Sequence, residues 1–174
     1  MRLTAVGAQR MTDNDVLGSA ASGSPIDVLL IEDNLYDVDM TTHALKDSIL
    51  PDRIKAIHDG AEALDFIFCT GDYADRNPRQ QPKLILLDLQ LPKVEGLEVL
   101  RRIRADPLTE EIPVVIFTHS TEDRNVIEGY KLGDNSFLVK RHDFDEFMKA
   151  IQALGIYWLV MNRPPVHRAA TFLP

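Results

Sequence analysis

Leu84-Ile85-Leu86-Leu87 is too short to make a helix, is apolar at every position, and runs straight into Asp88. A run of that length with no polar face fits a strand buried on both sides of a parallel sheet. The pattern recurs. Val28-Leu29-Leu30-Ile31 is closed by Glu32-Asp33, Val114-Val115-Ile116-Phe117 by Thr118, and Phe137-Leu138-Val139 by Lys140. In an open α/β sheet the carboxyl ends of the strands share one edge, and such folds place their chemistry there. Four strands thus deliver three carboxylates, a hydroxyl and an ammonium to one place. Crowded carboxylates want a divalent cation, and a Lys beside a Thr wants an anion. The combination reads as a phosphoryl acceptor.

Between these runs the apolar spacing switches to that of helices. The pattern predicts strands over 27–31, 53–57, 84–87, 114–117 and 136–139. Helices are expected over 35–47, 61–68, 96–104 and 123–132, with a fifth opening at Asp143. Asn34, Asp59 and Asp143 stand where caps belong, Glu146 completes a capping box, and Gly133 fits a left-handed helix end. Alternating βα units of this size require right-handed crossovers and a parallel sheet covered on both faces. The expected fold is α/β: a flavodoxin-like, doubly wound, five-stranded parallel sheet of order 2-1-3-4-5. It has five helices, the last extended at its carboxyl end. That order puts the switch point between strands one and three, so Glu32-Asp33 faces Asp88 across one crevice. Residues 25–155 form this domain. Residues 1–24, rich in Ala, Gly, Ser and Thr, are expected to be a flexible tail, and 156–174 a carboxyl-terminal extension.

The charge balance narrows the partners. Asp and Glu total 27 against 19 Lys and Arg, a net charge of −8, which repels nucleic acid and anionic membranes. A single cysteine, Cys69, forbids an intrachain disulfide and fits a reducing cytoplasm. The sequence has no run of about 18 apolar residues, so no membrane span is expected.

Two unit charges 4 Å apart interact by about 4 kcal/mol at an effective dielectric near 20, so clustered carboxylates bind protons or a cation. Oxygen-only ligation suits Mg²⁺. With Glu32-Asp33, Asp59-Gly60-Ala61-Glu62-Ala63-Leu64, Asp88 followed by Leu91-Pro92 and Gly96, then Thr118 and Lys140, the chain resembles a response-regulator receiver domain of two-component signalling. The resemblance covers about 26–154. It implies that Asp88 accepts a phosphoryl group from a phosphohistidine on a sensor histidine kinase. It also implies Mg²⁺ held by Glu32, Asp33, Asp88 and the backbone carbonyl of Gln90. Lys140 would pair with the phosphoryl group, Thr118 would move to bond it, and Phe137 takes the aromatic switch position. Such a protein is a signalling phosphoprotein, not an enzyme in the usual sense.

Two residues depart from the family pattern. Arg141 follows the lysine where a cis proline is usual, and a cis non-proline bond costs about 3–4 kcal/mol, so a trans bond is expected. His119 follows Thr118 where a small residue is common, and is expected to be a partly exposed loop histidine. Shorter matches, Cys69-Thr70-Gly71-Asp72-Tyr73, the run over 87–92 and Tyr157-Trp158-Leu159, resemble the single-domain receivers that serve bacterial phytochromes. This implies a bacteriophytochrome kinase as the upstream partner.

A haloacid-dehalogenase-type phosphatase also uses a strand-end Asp, but it wants a second Asp two residues on, where this chain has Gln90. A non-phosphorylated pseudo-receiver acting as a dimeric adaptor is the alternative, resting on Arg141 and His119. The fifth helix carries an apolar stripe, and residues 156–161 are apolar all round, which one packed face cannot bury. A homodimer built on the fourth helix, the fifth strand and the extended fifth helix is therefore expected, with Phe147, Ile151, Leu154, Tyr157, Trp158 and Leu159 as its dimerisation residues. A segment folded back over its own domain is the other outcome.

Overall fold

The structure, a computed structural model, describes residues 25–141 and 143–163. The expected tail over 1–24 and the end of the extension, with Pro164-Pro165, lie outside the described residues. The elements alternate in the expected sequence: β1 (Val28–Ile31), α1 (Leu35–Leu45), β2 (Ile54–Ile57), α2 (Gly60–Phe68), β3 (Leu84–Leu87), α3 (Gly96–Ala105), β4 (Val114–Thr118), α4 (Asp123–Leu132), β5 (Ser136–Val139) and α5 (Phe144–Gly155). Short 3₁₀ turns at Pro51–Arg53 and Gly71–Tyr73 interrupt the loops, and a π-helical turn, Ile156–Met161, continues α5.

All strand pairs are parallel, and their order is β2-β1-β3-β4-β5, as the pattern predicted. Every residue of β1, β3 and β4 is buried, whereas β2 and β5 are only partly covered. That difference follows from position, since the outer strands have a neighbour on one side only. Alternate strand residues feed two core layers. Leu29, Ile31, Ile85, Leu87, Val114 and Ile116 pack with α2 and α3; Val28, Leu30, Leu84, Leu86, Val115 and Phe117 pack with α1 and α5.

The local chemistry accounts for the helix boundaries. Asn34 Oδ1 accepts the Tyr36 and Asp37 amides, Asp59 Oδ1 the Glu62 amide and Asp143 Oδ1 the Glu146 amide, capping α1, α2 and α5. Gly133 ends α4 at φ 90°, a conformation that costs a side-chain-bearing residue. α1 stops at Leu45, two residues short of its expected end, where the turn tightens: the Lys46 amide donates to the His43 carbonyl and the Ser48 amide to the Leu45 carbonyl, both three residues back.

The carboxyl-terminal segment corrects which of the expected dimerisation residues a second copy can reach. Phe147, Ile151 and Leu154 lie in the core layer under α5, so their side chains are taken up inside the domain and cannot line an interface. Phe117 and Phe147 rings meet at 5.5 Å, fastening α5 to β4. Trp158 and Leu159 also pack partly on this layer, so the segment does fold back over its own domain. Ile156, Tyr157, Val160 and Met161 remain half or more exposed.

Candidate phosphoacceptor site

Register sets the site. Ile31 pairs with Leu87, so Glu32 and Asp88 leave adjacent central strands side by side. Thr118 pairs with Val139, and the Lys140 amide donates to the Thr118 carbonyl at 2.8 Å, placing the lysine one step beyond β5. α3 closes the floor. A Cβ on Gly96 would sit 2.1 Å from the Asp88 carbonyl oxygen, so only glycine lets the helix start this close to the strand end.

Asp88 is buried, and its two oxygens have different partners: Oδ1 accepts the Gln90 amide at 3.2 Å and Oδ2 accepts from Lys140 Nζ at 2.8 Å. Glu32, also buried, accepts the Asn34 amide at Oε1 and the Lys140 ammonium at Oε2. Burial pushes the Glu32 carboxyl up to about 7, although Lys140 pulls the other way. Burial also works against the Lys140 charge, but Asp88 and Glu32 outweigh it and hold the ammonium above its ordinary range. Phe117 presents its ring 5.3 Å from the same Nζ.

Asp33 is exposed beside this pair. One carboxylate oxygen from each of Glu32, Asp33 and Asp88 falls within 4.8 Å of the others, a hard-oxygen set that fits Mg²⁺ or Mn²⁺. Asp33 and Gln90 also line a cleft of about 510 Å³, with Pro92, Glu95, Ser120 and Asn125 around it. Thr118 is fully buried, and its hydroxyl accepts the Ser120 amide at 3.3 Å. Phe137 is half-buried opposite Ile116 and packs against the core. Among the described residues no peptide bond is cis, so Lys140–Arg141 is trans. The expected site residues thus converge on one edge of the sheet, with Phe137 one layer behind.

One member went unrecognised in the sequence. Asp37, buried in the first turn of α1, accepts from Lys140 Nζ at 2.9 Å through the same Oδ2 that lies 3.1 Å from His119 Nε2. A signal existed. The buried face of α1 is Asp37, Thr41, Ala44 and Leu45, so the helical stripe traced back from Leu45 lands on Asp37. His119 is therefore not a bystander of the loop: its side chain is 41% exposed yet tied to the buried charge network.

The response regulator receiver domain family matches residues 28–152. The response regulator Rcp1 of Synechocystis sp. is 37% identical over 141 residues, 81% of this chain and 94% of Rcp1. Its Mn²⁺-bound structure superposes with a TM-score of 0.74 at 35% identity, covering 79% of this chain and 97% of that one. The phosphorylated cyanobacterial phytochrome response regulator RcpA gives a TM-score of 0.75 at 32% identity, covering 82% and 99%. The bacteriophytochrome response regulator RtBRR gives 0.62 at 44% identity, covering 79% and 82%. With the family model matching 28–152 and the sheet order shared with its solved relatives, this chain belongs to the response regulator receiver-domain family.

Proposed function

We propose that this protein accepts a phosphoryl group on Asp88 from a phosphohistidine of a sensor histidine kinase, and that the kinase is of the phytochrome class. The observation that carries the reading is the Lys140 ammonium lying 2.8 Å from Asp88 Oδ2, with Glu32 and Asp33 across the same crevice. An Asp88 oxygen attacks phosphorus, a P–O bond forms as the P–N bond breaks, and the departing imidazole keeps the electron pair and takes a proton. Such a transfer depends on positioning and charge neutralisation more than on covalent help from the protein. Glu32, Asp33, Asp88 and the Gln90 carbonyl would hold Mg²⁺, which would supply positive charge to the transferring oxygens. Lys140 supplies the second positive charge, Thr118 moves to hydrogen-bond the new group, and Phe137 serves as the aromatic switch.

The phytochrome assignment rests on the likeness to Rcp1, RcpA and RtBRR. The pathway is placed in the cytoplasm, in keeping with the free Cys69, and no described helix is long and apolar enough to cross a membrane. Output by homodimerisation is supported by the exposed Ile156, Tyr157, Val160 and Met161.

Incubation with acetyl phosphate and Mg²⁺, followed by intact-mass measurement, tests the phosphoacceptor. The wild type should gain one phosphoryl group and Asp88→Asn none. An equal gain in the variant would remove Asp88 from the role.

A further inference from the structure

We propose that Asp37 is a positioning residue that holds the Lys140 ammonium in place while a divalent cation occupies the neighbouring carboxylates, and that His119 orients Asp37 for this task. The purpose assigned here rests on the phosphoacceptor reading; the geometry does not.

The Lys140 side chain is fully buried, and an ammonium has three N–H donors. Three acceptors surround it: Glu32 Oε2, Asp37 Oδ2 and Asp88 Oδ2. Glu32 and Asp88 also belong to the acidic set that can hold a cation, and Asp37 does not. A cation drawing on Glu32 and Asp88 competes with the ammonium for two of its three acceptors and repels its charge. Lys140 cannot retreat to water from a fully buried position. Asp37 is the acceptor that the cation leaves untouched, so it lets the two positive charges share the site. Without it, the ammonium compensates its charge only at the expense of the cation.

His119 meets the same oxygen from outside. Its Nε2 lies 3.1 Å from Asp37 Oδ2, the oxygen that also accepts from Lys140, and Asp37 and His119 both line a separate cleft of about 260 Å³ with Tyr36, Met40, Arg141 and Phe144. With two partners on that one oxygen, the Asp37 carboxylate is held in the orientation that meets Nζ. Proximity alone gives Asp37 two other roles, a charge that attracts the cation directly or a buried acid that merely completes the fold. A double-mutant cycle separates these.

Mg²⁺ is titrated by calorimetry into the full chain as wild type, Asp37→Asn, Lys140→Met and the double variant. Asp37→Asn is expected to weaken Mg²⁺ about tenfold beside the native lysine and less than about twofold beside methionine, the scale of coupling within one charge network. Equal weakening in both backgrounds overturns the proposal, because Asp37 then acts on the cation without Lys140. No weakening in either overturns it too. If Asp37→Asn does not fold, His119→Leu, changed at a partly exposed side chain, decides. It should weaken Mg²⁺ about threefold only when Lys140 is present, and an unchanged affinity refutes the arrangement. Intact mass after acetyl phosphate treatment is recorded on the wild type alongside. Absence of a phosphoryl gain there rejects the phosphoacceptor reading while the cycle still decides the link between Asp37 and Lys140.

Discussion

Replacing Asp134 with alanine should stabilise the domain at neutral pH and lose that advantage in mild acid. Asp134 follows the Gly133 helix end and tucks beneath α4, where a Cβ on Gly129 would lie 3.2 Å from its Oδ2. The residue is 8% exposed, and neither carboxylate oxygen has a hydrogen-bond partner. Burial therefore pushes its pKa from 3.8 up to about 6, with the Arg104 charge offsetting part of the effect. The sign follows from linkage. The folded carboxyl binds its proton more tightly than the unfolded one, so its stabilising share is complete below the unfolded pKa and is lost as pH rises through the folded value. Roughly two pKa units at 1.36 kcal/mol each give a penalty of at most about 3 kcal/mol once the group is ionised in the fold. Removing the carboxyl leaves a small void that costs about 1 kcal/mol. Asp134→Ala should then be about 2 kcal/mol more stable than wild type near pH 7.5 and about equal near pH 4.5. Urea unfolding in chelator at both pH values measures this. Every other titrating group, Glu32 included, is common to both proteins and cancels in the difference. A stability difference that stays the same across that range would refute the account of a buried, unpaired carboxyl.

Three further outcomes are expected. Asp33→Ala should lose most Mg²⁺ affinity in calorimetry, because Asp33 is the exposed member of the acidic set, while the Lys140 ammonium already draws on Glu32 and Asp88; wild-type affinity would remove Asp33 from the cation site. Gly96→Ala should cost about 2–4 kcal/mol in denaturant unfolding, since its Cβ would stand 2.1 Å from the Asp88 carbonyl oxygen and backbone must move. Light scattering at tens of micromolar should find wild type as a dimer and the double variant Tyr157→Glu, Val160→Glu as a monomer, since both side chains are more than half exposed at 52% and 65%; a monomeric wild type ends the dimer proposal.

Most of the site was legible because its residues stand at strand ends. A four-residue apolar run buried on both faces fixes where the strand stops, and parallel register then places Glu32, Asp88, Thr118 and Lys140 within reach of one another. The caps were equally local: Asn34, Asp59 and Asp143 each bond an amide within three residues, so their identity and spacing suffice. Asp37 and Asp134 were not found because an acid on a helix or after a helix-ending glycine is ordinarily a solvated one. Only tertiary packing turns these two inward. Asp37 could be traced from the stripe it shares with Thr41 and Ala44, whereas Asp134 left no periodic signal, its burial coming from Gly129 allowing α4 to close over it.

The same distinction explains the misassigned end of the chain. Phe147, Ile151 and Leu154 repeat at the spacing of one helical face, and a single stripe can serve the chain's own sheet or a second copy equally well. The structure spends that stripe on β4 and its neighbours, and the close approach at Gly155 shows how tightly: a Cβ there would meet Leu45 Cδ2 at 2.7 Å. Once α5 is pinned to α1 at this point, the π-helical turn that follows can reach the core only with Trp158 and Leu159. Ile156, Tyr157, Val160 and Met161 are left outside by geometry rather than by composition. An interface at this end of the chain is thus left with a patch just beyond Gly155, not with the α5 stripe. That patch lies on the π-helical turn that continues α5, and α5 opens four residues after Lys140, so whatever covers the patch is connected to the proposed phosphoacceptor edge through one helix.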